Sequence, residues 1–118
     1  MGLFNFFHGP SYTKVALSQI ESDKSAFDGL KVEYVGTYES GFEVSTLDGK
    51  IWLQSTKDTN WVPDHNAFSW VNAGHYRARV KVFGTLMTKE IASAYGHLGG
   101  YSYQIVADKV ELLEKLPS

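Results

Sequence analysis

The stretch "HYRARVKVFGTLM", residues 75–87, alternates between an apolar face and a charged face. Its even positions are mostly apolar and its odd positions mostly basic: Tyr76, Ala78, Val80 and Val82 on one face, Arg77, Arg79, Lys81 and Phe83 on the other. Alternation with a period of two is typical of a β-strand that buries one face. The prediction of the fold begins with this strand.

Four other segments have a strand pattern, and turn residues separate them. The segment "LKVEYVGTYES" (30–40) alternates through Gly36, and a glycine inside a strand suggests a bulge or a sharp bend. Ser40-Gly41 and Asp48-Gly49 then lead into "FEVSTL" (42–47) and "KIWLQS" (50–55). Asp-Gly between alternating runs is a strong hairpin signal. The last strand, "YSYQIVADKVELLEK", covers residues 101–115.

These segments predict a mainly β fold, a small five-stranded barrel with a short N-terminal helix. Helical spacing of apolar residues places that helix within residues 12–27. We expect a single domain over residues 1–118, with an N-terminal aromatic segment (1–11) and an OB-like barrel (12–116). The predicted core consists of Val32, Tyr34, Val44, Ile51, Leu53, Val80, Val82 and Ile105.

Two pieces of the sequence resemble strands of the OB-fold. "FDGLKVEYVGTY" is similar to its first-strand entry, and "RARVKVFGTL" is similar to an equivalent later strand. Followed by "GHLGGYSYQIV", these pieces stand in an order that resembles small, uncharacterised bacterial OB-fold-like proteins, over residues 13–113. This resemblance implies a barrel fold and implies no particular activity.

Composition limits the possible functions. The chain has 11 Lys and Arg, 13 Asp and Glu, and no cysteine, so disulfides and thiolate sites are excluded. The absence of cysteine fits a reducing compartment, so we expect a cytoplasmic protein. We expect no transmembrane segment, because no segment approaches membrane-spanning length. The aromatic start, residues 1–11, is expected to fold back onto the domain. The alternative is an anchor on a membrane surface or on a partner.

No grouping of residues in the sequence predicts catalysis. The histidines, His8, His65, His75 and His97, lack the local spacings of zinc sites. No nucleophile elbow or phosphate-binding loop is present. The glycine-rich stretch at 96–100 is predicted to be a turn between two strands, with His97 packing across it. We therefore expect no metal, no cofactor and no enzymatic activity. A small hydrolase or metal-dependent enzyme is the third hypothesis.

The leading hypothesis is a non-enzymatic module that recognises a protein partner, such as an inhibitor, an immunity protein or an adaptor. The long connection "NWVPDHNAFSW" carries two of the chain's three tryptophans. Aromatic side chains dominate the energetics of protein interfaces. The predicted partner-binding residues are Trp61, His65, Phe68 and Trp70. Tryptophans that close one end of the barrel are the competing interpretation.

The second hypothesis is binding of single-stranded nucleic acid. Its residues are Arg77, Arg79 and Lys81 with the aromatic Phe83, Tyr101 and Tyr103, because OB-folds stack bases on aromatic side chains beside a basic groove. The net charge of −2 opposes the approach of a polyanion. The identity of the partner and the oligomeric state stay open at this point.

Overall fold

A computed structural model describes residues 11–41, 44–55, 76–88, 95–96 and 100–117. Within these ranges the helices and strands follow in this order: β1 (Thr13–Val15), α1 (Leu17–Ser22), α2 (Lys24–Phe27), β2 (Lys31–Gly41), β3 (Val44–Leu47), β4 (Ile51–Ser55), β5 (Tyr76–Met87) and β6 (Tyr103–Leu116). The observed strands β2 to β6 coincide with the five predicted ones to within two residues at either end.

Strands β2 to β6 close into a five-stranded barrel in the order β2-β3-β4-β6-β5, and β5 pairs back onto β2. The pairings between β2 and β3, β3 and β4, β2 and β5, and β5 and β6 are antiparallel. β4 and β6 run parallel, with Leu53 opposite Ile105. The predicted mainly β barrel is therefore confirmed, and its first three strands form a meander.

The N-terminal helix begins later than its spacing predicts. Residues Thr13–Val15 form a short strand that runs parallel to β2, with Val15 opposite Tyr34. β-branched residues favour this extended conformation. Helix α1 begins only at Leu17, where the side chain of Gln19 accepts a hydrogen bond from the backbone N–H of Ala16 at 2.8 Å. The barrel thus carries a sixth strand that the sequence pattern did not predict.

Seven of the eight predicted core residues are buried in the barrel. The prediction for Val44 is wrong, since its side chain is 40% exposed. Ser45 stands opposite Ser40, which is buried in the barrel, so its neighbour Val44 points outward. The cross-strand partner of Val44 is Gly41, which has no side chain to cover it.

The Asp48-Gly49 turn joins β3 to β4 as predicted. Both residues have positive φ, 53° and 68°, which type I′ turns require and which Asp and Gly tolerate. The N–H of Lys50 donates to the carbonyl of Leu47 at 3.0 Å and closes the turn. This turn also brings the carboxylate of Asp48 against β2.

Of the two features that a glycine within this strand predicts, a bulge or a sharp bend, the bulge is absent at Gly36. The register of β2 with β5 runs without a shift from Lys31 to Ser40. A Cβ at position 36 would lie 2.5 Å from Oδ2 of Asp48 and 2.7 Å from Cε2 of Tyr34. The glycine therefore makes room for these two side chains.

Candidate functional site

The predicted partner-binding residues Trp61, His65, Phe68 and Trp70 lie outside the described residues, as does His97. The structure places the residues of the second hypothesis. It also shows a groove on the side of the barrel that the sequence analysis did not predict.

The basic residues of β5 lie on the outer face of the barrel, and a glutamate stands opposite each of them. Arg77 is opposite Glu39 of β2, and its Nε lies 3.9 Å from Oε2 of that glutamate. On β6, Glu114 is opposite Arg79 and Glu111 is opposite Lys81. Opposite charges in cross-strand pairs attract and partly cancel each other's field. The face is therefore a mixed surface rather than a basic stripe.

Phe83 continues the outer face of β5, but it contacts protein side chains. The ring of Tyr12 packs edge-on against it at 5.2 Å between centroids, and Nζ of Lys109 lies 5.8 Å from its ring centre. Tyr103 is opposite Ile51 and packs against the core, whereas Tyr101 packs on Trp52. The structure thus separates Tyr101 and Tyr103 from the basic residues of β5.

Asp108 links Tyr12, the residue before β1, to the barrel. Its Oδ2 accepts hydrogen bonds from the hydroxyl of Tyr12 and from Nζ of Lys31, both at 2.9 Å. The bond from Lys31 lowers the pKa of Asp108, and the same bond raises the pKa of Lys31. Desolvation and the bond to the carboxylate raise the pKa of Tyr12. These partly exposed contacts have a structural role in positioning Tyr12.

Tyr95 and Tyr101 flank the glycine-rich stretch before β6 and pair through two backbone hydrogen bonds of 2.9 and 3.1 Å. Residues 97–99 lie outside the described residues, so the turn predicted there stays a prediction. Gly96 has a φ of 78°, and a Cβ there would lie 2.6 Å from the ring of Trp52. Glycine is therefore required at position 96 both for its backbone conformation and for space.

A groove of about 460 Å³ lies beside the barrel, and we call it the side groove. It runs between the segment formed by β1 and the start of α1 on one side and the β3–β4 turn on the other, over β2. Its lining includes Val15, Leu17, Glu33, Tyr34, Val35 and Asp48. The size is within the range of known ligand pockets.

Tyr34 and Asp48 form one wall of the side groove. The buried hydroxyl of Tyr34 donates a hydrogen bond to Oδ2 of Asp48, and the backbone N–H of Thr37 donates to Oδ1 at 2.9 Å. Burial, and then the bond to the carboxylate, raise the pKa of Tyr34 well above its ordinary value. The phenol therefore stays protonated and holds the carboxylate in place.

Charged side chains surround the side groove. Glu33 is largely covered, and its Oε2 lies 4.0 Å from Nζ of Lys14, which is itself 82% exposed. Glu21 meets Lys50 at 3.7 Å nearby. With Asp48, this region combines three carboxylates with two lysines. The side groove therefore offers hydrogen-bond acceptors above an apolar floor.

The sequence analysis missed this site because its parts are distant in the chain. One signal was present, since Gly36 lies two residues after a tyrosine on the same strand face. A glycine at such a position indicates either a bulge or a close approach by another group. Choosing between these requires the position of Asp48, which the sequence pattern does not supply.

Two searches of the described residues gave negative results. Among them, no group of three or more histidine or acidic side chains could hold a metal ion. In the same part of the chain, no helix is long and apolar enough to cross a membrane.

Comparisons with known proteins add no further identification. No family model, curated protein or solved structure matches this chain.

Proposed function

We propose that this protein is a non-enzymatic binding module that recognises a protein partner, in the manner of an inhibitor, an immunity protein or an adaptor. The observation that carries the proposal is the pairing on the outer face of the barrel. There, Arg77, Arg79 and Lys81 stand opposite Glu39, Glu114 and Glu111.

This pairing favours a protein partner over nucleic acid for an electrostatic reason. A protein gains affinity for a nucleic acid when its cations neutralise phosphates and release counterions. Cations that already face carboxylates gain less from a phosphate, and the net charge of −2 adds long-range repulsion. Aromatic side chains and arginine are enriched at protein interfaces, and complementary charges across them set specificity.

The barrel topology supports an OB-like architecture for the proposed module. A five-stranded barrel whose third and fifth strands run parallel is consistent with the resemblance of residues 13–113 to small bacterial OB-fold-like proteins. Such barrels present loops at their ends as recognition surfaces. We place the main contact on the loop that carries Trp61, His65, Phe68 and Trp70.

The first test is a fluorescence titration with an oligothymidine at low and moderate salt. We expect no binding. Three phosphate contacts would give a slope of log affinity against log salt of roughly −2, at about −0.7 for each contact with a single strand. Binding with that slope, abolished by Arg77→Glu with Arg79→Glu and kept by Lys14→Glu with Lys50→Glu, would establish nucleic-acid binding instead.

The second test is affinity capture with the wild-type protein, followed by binding measurements with the purified partner. We expect Trp61→Ala or Trp70→Ala to weaken the complex by tenfold or more while the protein stays folded. Val44→Ala, at an exposed position outside the loop, is the matched control and should bind as the wild type does. Equal affinity of the wild type and both tryptophan variants would contradict the assignment of the loop.

A further inference from the structure

We propose that the side groove binds a basic side chain of the partner, with arginine preferred over lysine. This inference rests on the proposed function and adds a second contact point, formed by residues other than 56–75. It is based on the backbone, the apolar floor and the carboxylates of the groove.

The backbone of β2 has a gap in its pairing at the side groove. β5 occupies one edge of β2 from Lys31 to Ser40, so β1 and β3 share the other edge. The pairing of β2 with β1 extends as far as Tyr34, and its pairing with β3 begins at Tyr38. Between them, Thr37 exchanges hydrogen bonds with Asp48 instead of with a strand. Among the described residues, no strand therefore fills this edge between Tyr34 and Tyr38.

The floor of the groove is suited to an aliphatic stem. Val35 is 39% exposed, which is high for a valine in a central strand, and it lies beside Val15 and Leu17. Arginine and lysine cover apolar surface with their methylene groups while the charged head reaches a polar neighbour. A partner side chain of this kind would remove Val35 from water.

The walls are suited to a cationic head. Asp48 is held by Tyr34 and Thr37, one donor on each oxygen, and a carboxylate has about four acceptor positions. Acceptor capacity therefore remains on Asp48. Within the described residues, Glu33 pairs with Lys14 at 4.0 Å, and an ion pair of this length to an exposed lysine contributes little. An incoming cation can displace Lys14 at low cost.

Arginine fits better than lysine because two carboxylates line one groove. The planar guanidinium presents five N–H donors in a fixed geometry and can bond a carboxylate such as that of Glu33 through two parallel hydrogen bonds, whereas the ammonium of lysine acts as a point charge. A volume of about 460 Å³ exceeds the size of one side chain, so the neighbouring residues of the partner segment also fit.

The test uses the full chain labelled with ¹⁵N and two capped tripeptides, acetyl-Val-Arg-Val-amide and acetyl-Val-Gln-Val-amide. We expect the arginine peptide to shift the amide signals of Val35, Gly36 and Asp48 in a saturable manner, and the glutamine peptide to leave them unchanged. Glu33→Gln with Asp48→Asn should weaken binding by tenfold or more. Asn-Gly also supports a type I′ turn, so this variant keeps the hairpin.

Controls separate the groove from general charge effects. Glu39→Gln with Glu111→Gln removes two carboxylates from the outer face and should leave the affinity unchanged. Equal binding of both peptides, or shifts confined to the outer face, would overturn the inference. Binding of acetyl-arginine amide as tight as that of the tripeptide would contradict a contribution from the neighbouring residues of the partner segment.

Failure of this inference is distinguishable from failure of the proposed function. If the arginine peptide does not bind but the partner complex still depends on Trp61 or Trp70, the groove assignment is wrong and the proposed function stands. If the peptide binds in the groove but no partner complex depends on those tryptophans, the groove stands and the loop assignment is wrong.

Discussion

Replacing Tyr34 with phenylalanine tests the contact that shapes the side groove. The substitution removes one hydroxyl from a buried side chain and leaves the ring in place, so no cavity forms. A hydrogen bond to a charged acceptor contributes about 1.5–3 kcal/mol. Asp48 keeps the amide of Thr37 at 2.9 Å and gains access to water. We therefore expect the free energy of unfolding to fall by about 1.5 kcal/mol, at the lower end of that range.

The assay is guanidinium denaturation followed by tryptophan fluorescence, with Tyr12→Phe as the matched control. That control removes the same hydroxyl from an exposed bond to Asp108, and we expect a loss below about 1 kcal/mol. A double-mutant cycle of Tyr34→Phe with Asp48→Asn should give a coupling energy of about 1 kcal/mol or more.

The pH dependence gives an independent check of the same contact. The pKa of Tyr34 is raised in the folded state, so its contribution is complete below the unfolded value of about 10 and is lost as pH rises above it. The wild type should therefore lose more stability than Tyr34→Phe between pH 9 and 11. A coupling energy near zero, together with equal alkaline losses in the two proteins, would refute this account.

Three further predictions concern the barrel. Gly84→Ala would place a Cβ 2.2 Å from the carbonyl oxygen of Val106, so we expect a loss of about 3 kcal/mol or more in denaturation. Gly49 has a positive φ but open space around it, so Gly49→Ala should lower stability by only about 1–2 kcal/mol. A larger loss for Gly49→Ala than for Gly84→Ala would contradict this reasoning. Val80→Asp should abolish the folded NMR spectrum, because an unpaired buried carboxylate costs several kcal/mol, whereas the exposed Val44→Asp should fold. Asp108→Asn should lower stability by at most about 1 kcal/mol at neutral pH. Because Lys31 lowers the pKa of Asp108, this difference is present above the ordinary pKa of an aspartate and should vanish as pH falls through the lowered pKa; a difference that persists once Asp108 is protonated would count against the ion pair.

The sequence alone was sufficient to predict the strands of the barrel. The alternation of Val80 and Val82 with Arg79 and Lys81 depends only on neighbours along the chain, because successive side chains of a strand point to opposite faces. The Asp48-Gly49 turn is likewise a local property of two residues that tolerate positive φ. These features could be predicted because each is contained within a few consecutive residues.

The tertiary structure was needed wherever the outcome depends on which strands become neighbours. Val15 has helical spacing with Gln19, but Thr13–Val15 becomes a strand because β2 offers it an edge. Val44 is an apolar residue of the kind that fills cores, but the register of β3 with β2 places it opposite Gly41 and turns its side chain outward. In both cases the pairing partner is set by strand register, which a local pattern does not contain.

The candidate site depends on long-range contacts in the same way. The glutamates opposite the basic residues of β5 come from β2, 38 residues away in the chain, and from β6, 30 and 35 residues away. The side groove exists because Gly36 leaves room for Asp48 to reach Tyr34 across a hairpin. The sequence determined the strands, their turns and most of the core, since these depend on local periodicity. Only the closed barrel, which brings distant strands into register, decided which charges are paired and where a groove remains.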